Sequence, residues 1–171
     1  MSYSIGFASA EDLPQLPPIE ERAAAMFDRI EALRSVPLIN SDPTAFEHAH
    51  AAGLLWVARD AAGAPVGFAL CERLGSDIHL EELDVDPVHG CRGIGRALVL
   101  TVCNHAAGLG HDVTLTTFRD VPWNQPFYER LGFREIPRDE ITPELAQRVA
   151  DETSRGLPRH LRILMRRRRT S

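Results

Sequence analysis

An α/β fold, more narrowly an α+β sheet with helices packed on it, is the architecture this sequence predicts. Three observations point there. Short segments with period-two alternation are interleaved with stretches whose apolar residues recur at helical spacing. Two of the short segments, 54–58 and 65–70, are joined by Asp60-Ala-Ala-Gly63, which suits a hairpin turn. The chain of 171 residues, 44% hydrophobic and 25% charged, fits a single domain (1–171) with a core of its own and a short basic tail at about 166–171.

The elements follow in order. Ser4-Ile5-Gly6-Phe7 reads as a first strand, ended by the helix-capping sequence Ser9-Ala10-Glu11-Asp12. Pro14, Pro17 and Pro18 interrupt that start, so a fresh helix is expected over 18–33, with Ile19, Ala23, Met26, Phe27 and Ile30 as its buried stripe. A second helix over 43–52 is capped by Asp42 and closed by Gly53. After the hairpin, 79–85 forms a third sheet strand. Simple alternation places His79, Glu81, Leu83 and Val85 on one face and Leu80, Glu82 and Asp84 on the other, unless a bulge intervenes. A glycine-containing turn, Gly90-Cys-Arg-Gly-Ile-Gly95, leads into a helix with Ile94, Ala97, Leu98, Thr101 and Val102 on one face. Strands are expected at 113–117, 133–136 and 161–165. Between them lie a short helix that Asn124 can cap and a helix over 143–151.

Composition narrows the classes of function. No apolar run approaches the ~20 residues of a membrane-spanning helix, and the first residues lack the basic-then-apolar pattern of a signal peptide, so a cytoplasmic location is expected. Cys71, Cys91 and Cys103 cannot pair completely and form no CxxC, which argues for reduced thiols and against a zinc knuckle. His48 and His50 fall on different sides of a helix, so no metal ligand set is expected. All 19 basic residues are arginine. Seven of them, with no acid, lie in 153–171, which leaves 12 arginines against 24 acids in the rest. An acidic body favours encounter with cationic molecules. The run Arg166-Arg-Arg-Arg169 could hold nucleic acid, but without interleaved aromatics a solvated end is the simpler reading, and nucleic acid is not an expected partner.

The chemistry concentrates in strand, loop and helix start: Leu83-Asp-Val-Asp-Pro-Val-His-Gly-Cys-Arg-Gly-Ile-Gly-Arg96. Small residues at 90, 93 and 95 let the backbone approach a ligand, and the helix N-terminus adds partial positive charge. Together these suit a phosphate. Arg92 and Arg96 can add charge pairing. No Gly-Lys-Ser/Thr follows, so the loop is not a Walker loop. Its position after a β-meander disfavours a dinucleotide fold.

Two segments carry a resemblance. Leu83-x-Val85-x-Pro87 leading into Arg92-Gly93-Ile94-Gly95-Arg96-Ala97-Leu98, together with Asn124-Gln-Pro-Phe127-Tyr128-Glu-Arg-Leu131-Gly132-Phe133, resembles the GNAT superfamily of acetyl-CoA-dependent N-acetyltransferases. Gly90 departs from the Arg or Gln often found there, which shifts the expected phosphate grip from side chain to backbone. The resemblance implies a mixed, mostly antiparallel sheet of about six to seven strands flanked by helices and splayed between strands 79–85 and 113–117. It implies acetyl-CoA as co-substrate, with no metal. The cofactor arm would meet the main chain of Leu83 and Val85 and the side chain of Asn124, and its pyrophosphate would meet Cys91, Arg92, Gly93, Ile94, Gly95 and Arg96. Tyr128 matches the tyrosine that protonates the departing thiolate, a role a phenol of pKa about 10 can fill.

The implied reaction is direct acetyl transfer to a primary amine, either a small molecule or a peptide or protein amine. A lysine-like ammonium is neutral only about once in ~2,500 molecules at pH about 7, so a base matters. Glu81 and then His79 are the expected candidates. Relatives often pair, so a homodimer is possible. The alternative is a catalytically silent acyl-CoA-binding or regulatory module of the same fold, against which Asn124 and Tyr128 speak.

Overall fold

The computed structural model describes residues 2–36 and 41–170. Seven strands, β1 (Ser4–Phe7), β2 (Leu55–Arg59), β3 (Pro65–Leu74), β4 (Asp77–Val85), β5 (Val113–Phe118), β6 (Arg134–Glu135) and β7 (Arg162–Arg167), form one sheet in the order β1-β2-β3-β4-β5-β7-β6. Every neighbouring pair is antiparallel except β4 and β5, which run parallel. The helices are α1 (Leu16–Ala24), α2 (Pro43–Ala51), α3 (Ile94–Gly108), α4 (Asn124–Arg130) and α5 (Pro143–Ser154). Among the described residues no helix is long and apolar enough to cross a membrane.

Local chemistry sets several element ends. Asp42 accepts from the Thr44 amide to start α2, and Gly53, at φ +68°, closes it in the left-handed region that a side chain disfavours. Ser9 donates through both its amide and hydroxyl to Asp12, which also holds Arg59 of β2. The helix expected over 18–33 is divided instead. α1 ends at Ala24 and continues as short 3-10 turns at Ala25–Arg29 and Glu31–Leu33, so that Met26 is exposed while Phe27 turns onto Phe118 and Trp123.

Two cores cover the sheet's faces. On one, Ile94, Leu98, Val99, Val102, Cys103 and Ala106 of α3 pack on Ile78, Leu80, Leu115, Ile163 and Met165. Leu98, Val99 and Val102 are fully buried, each contributing about 1.5–3 kcal/mol. On the other, Leu16 and Ile19 of α1 and Phe46 and Ala49 of α2 meet Leu55, Val57, Phe68 and Leu70. α5 joins that face through Leu145 and Val149 against Leu164. The segment read as a basic tail is folded in part: Arg166 and Arg167 belong to β7, Arg166 and Arg168 pair with Glu140, and Arg169 pairs with Asp112. Acids supplied by distant segments give these arginines fixed partners.

Candidate active site

β4 and β5 part company midway. They pair only at Ile78↔Val113, His79↔Thr114 and Leu80↔Leu115. Beyond that point β4 stays with β3 and β5 stays with β7. The separation opens a cleft of about 170 Å³ between Leu80–Asp84 and Leu115–Phe118. Main-chain groups on the two facing edges have no strand partner there, which is what an extended ligand requires. The cleft passes through the sheet. Asn124 and Tyr128 of α4 line it from one side, and Glu20 and Ala24 of α1, with Phe27, line it from the other.

The faces of β4 differ from simple alternation. Leu70↔Glu82 and Cys71↔Leu80 are consecutive pairs on β3, so Glu81 is an extra residue, a bulge. Leu80 and Leu83 therefore both join the α3-side core, and Val85 follows. His79, Glu82 and Asp84 lie opposite Glu72, Leu70 and Phe68 on the α1 side. The expectation that His79, Glu81, Leu83 and Val85 share a face is thus corrected. The signal was present as the spacing Ile78, Leu80, Leu83, Val85, with one interval of three inside intervals of two.

Each of the two expected bases has a partner in the fold. Glu81 receives Arg148 of α5 at 2.5 Å, and the same guanidinium reaches Glu72 at 3.1 Å. His79 is 1% exposed and hydrogen-bonded to Thr114 Oγ1 at 2.9 Å. Burial, with Arg148 and Arg162 nearby, pulls its pKa down to about 3.

Glu82 and Asp84 line the cleft together with Glu81, joined by Glu20 from α1, whereas His79 does not line it. Burial, then the Glu20 carboxylate, pushes Glu82 up to about 8. Burial, then Glu82 and Glu20, raises Asp84, and burial raises Glu20. Glu20 was legible as a polar member of the apolar stripe Leu16, Ile19, Glu20, Ala23. Tyr128 packs edge-on against Phe127 and Phe133. Burial first, and then Glu82 and Asp84, hold its phenol well above the usual range, so it stays protonated at neutral pH.

The loop before α3 abuts this cleft. Gly93, at φ +79°, is the N-cap, and Cys91 adopts φ +57° although it is not glycine. A helix start leaves its first four amides, here those of Gly93, Ile94, Gly95 and Arg96, without helical acceptors. A Cβ at Gly95 would lie 3.8 Å from Val85 and from Phe127 and 4.0 Å from Leu83, so loop, β4 and α4 converge there. At Gly90 a Cβ would meet the Pro87 carbonyl at 3.1 Å, a crowded position for a longer side chain. Arg92 donates to the Tyr3 hydroxyl at 2.8 Å, and the Arg96 side chain is exposed. Asn124 is the first residue of α4 rather than its cap. Trp123 takes the cap position, leaving the Asn124 side chain on the cleft.

A sequence model of the acetyltransferase (GNAT) family matches residues 11–133. Among solved structures, the ribosomal-protein-S18-alanine N-acetyltransferase of Escherichia coli is similar at TM-score 0.69 and 17% identity, covering 99% of this chain and 96% of that one. A GNAT-family acetyltransferase of Staphylococcus aureus is similar at TM-score 0.71 and 18% identity, covering 99% and 100%. The PaiA N-acetyltransferase of Thermoplasma acidophilum, solved with coenzyme A, is similar at 0.65 and 16%, covering 98% and 99%. At these identities the likeness is one of fold.

Proposed function

The chain belongs to the GNAT acetyltransferase family, and from that premise we propose that it moves acetyl from acetyl-CoA directly to a primary amine in the β4–β5 cleft. The observation that carries this reading is the convergence on one opening of the unpaired α3 amides, the splayed β4 edge and the protonated Tyr128. The thioester supplies the activated acetyl group, and the chain supplies position and protons.

The amides of Gly93 to Arg96 and the α3 dipole would hold the pyrophosphate, with Cys91, Arg92 and Arg96 bordering it. The main chain at Leu83 and Val85 and the side chain of Asn124 would hold the arm. Because the donor then occupies the α3–α4 side, the amine enters from the α1 side, where Glu82 and Asp84 face.

There the Glu82 carboxylate takes the ammonium proton. Its pKa, pushed up to about 8, narrows the gap to an amine near 10.4 and makes it a better base than an ordinary carboxylate. The free amine attacks the thioester carbonyl and forms the new C–N bond, and the C–S bond breaks as the Tyr128 hydroxyl gives its proton to the sulfur. The nitrogen's surplus proton passes to the Tyr128 phenolate, leaving the neutral amide and CoA thiol. Glu81 and His79, expected as bases, are proposed instead to fix the strand through Arg148 and Thr114.

The test is release of CoA thiol from acetyl-CoA over a panel of primary amines. Amine-dependent release with acetylated product supports the reading. Tight CoA binding by calorimetry with no amine-dependent release would instead leave a silent acyl-CoA-binding module.

A further inference from the structure

We infer that the acceptor is a short alkylamine carrying a second ammonium, a diamine or polyamine, and that Glu20 of α1 and Asp84 of β4 receive that second charge. The inference rests on the transfer reading above and names the substrate class of the same cleft.

Glu20 is 4% exposed and Asp84 9%, and both line the cleft. Glu20 Oε1 accepts from the Ser41 amide at 2.7 Å and the Ser41 hydroxyl at 2.8 Å, whereas its Oε2 is buried with no partner. Asp84 Oδ2 is likewise buried and unpartnered. Among the described residues neither carboxyl forms an ion pair. The arginine that lines the cleft, Arg162, is engaged with Glu152 and the Thr116 carbonyl.

Burial and mutual repulsion favour the neutral forms of these carboxyls in the free protein, and a cation entering beside their unpartnered oxygens would let them ionise and accept its N–H groups. Glu82 is committed to the reacting nitrogen in the proposed mechanism, so the Glu20–Asp84 pair is left for a second positive centre. A dication satisfies both ends. An amino acid brings an α-carboxylate that these acids repel, and a single lysine side chain or protein N-terminus brings neutral peptide groups to the second position. A metal ion is a poorer occupant, because among the described residues no group of three or more His, Cys, Asp or Glu is arranged to hold one. The acidic body of the chain, 24 carboxylates against 12 arginines outside 153–171, adds long-range attraction for a polycation.

The experiment compares kcat/KM for diaminobutane and butylamine at saturating acetyl-CoA, by CoA release, in the full chain and in Glu20→Gln and Asp84→Asn. Glutamine keeps an oxygen for Ser41, and each substitution preserves shape. The expected result is a preference for the diamine of about tenfold or more, with that ratio falling toward one in both variants. Equal use of the two amines, or a ratio neither substitution changes, overturns the inference while leaving acetyl transfer intact. A blocked Lys-Arg dipeptide that outperforms the diamine overturns it in favour of a basic peptide. If none of these amines drives CoA release, the transfer reading fails as well.

Discussion

Replacing Glu82 by glutamine removes one carboxylate from the cleft and preserves its shape, so it isolates the proposed base. The wild-type group faces Glu20 from α1, Glu81 and Asp84 from its own strand, Glu152 from α5 and Arg162 from β7, and its pKa is pushed up to about 8. A carboxyl of that pKa is ionised in about one molecule in eleven at pH about 7 and in about ten of eleven at pH about 9, a tenfold climb in competent base. Amine ionisation also raises the rate over this range, but it acts equally on wild type and variant. The ratio of their kcat/KM values therefore isolates Glu82. At the upper plateau the variant is expected to be slower by about 100-fold or more, and near pH 7 by about tenfold less than that. The assay is CoA release with a fixed primary amine across this interval. A flat ratio, or a variant within about threefold of wild type throughout, would refute the assignment.

Tyr128→Phe keeps the edge-on contacts with Phe127 and Phe133, so kcat should fall about 100-fold while KM for acetyl-CoA moves little. An unchanged kcat removes the acid role. Gly67→Ala would set a Cβ 2.8 Å from the Asp84 carbonyl and 3.2 Å from a Val85 methyl, a backbone clash expected to cost about 1–3 kcal/mol and several degrees of melting temperature. An unshifted melting curve would contradict that close approach. Stability should also depend on pH with a defined sign. The folded pKa values of Glu20, Glu82 and Asp84 lie above the ordinary carboxylate range, so the stability contributed by their neutral forms is complete below that range and lost as pH rises toward about 8. Thermal unfolding of Glu82→Gln should lose less over that interval than wild type, by about 1 kcal/mol or more.

Local signals were legible where one residue does one job. Asp42 and Gly53 bound α2, and Gly93 starts α3 in the left-handed region, because caps and turns are decided within a few residues. The glycine loop was ambiguous by itself and gained meaning from the Asn124 to Phe133 segment. That resemblance also supplied the splay, which no period within β4 or β5 encodes. Features created by a partner element were not read. The Glu81 bulge depends on β3 register, and the end of α1 at Ala24 depends on Phe27 finding Phe118 and Trp123. Asn124 was taken for a cap because asparagine suits one, yet the cleft claims its side chain. The arginines after 165 look like a solvated run until Glu140 and Asp112 arrive from remote positions. The choice of base turns on the same bulge: alternation and the resemblance pointed to Glu81 and His79, whereas the bulge sets Glu82, the base proposed above, on the α1 side.

The most direct measurement of the central claim is an initial-velocity study in which acetyl-CoA and a primary amine are varied together, with acetylated amine identified by mass spectrometry. Direct transfer in one cleft is expected to give intersecting double-reciprocal lines and one acetylated amine for each CoA released. Parallel lines with acetyl trapped on the protein, or CoA binding without any acetylated amine, would contradict it.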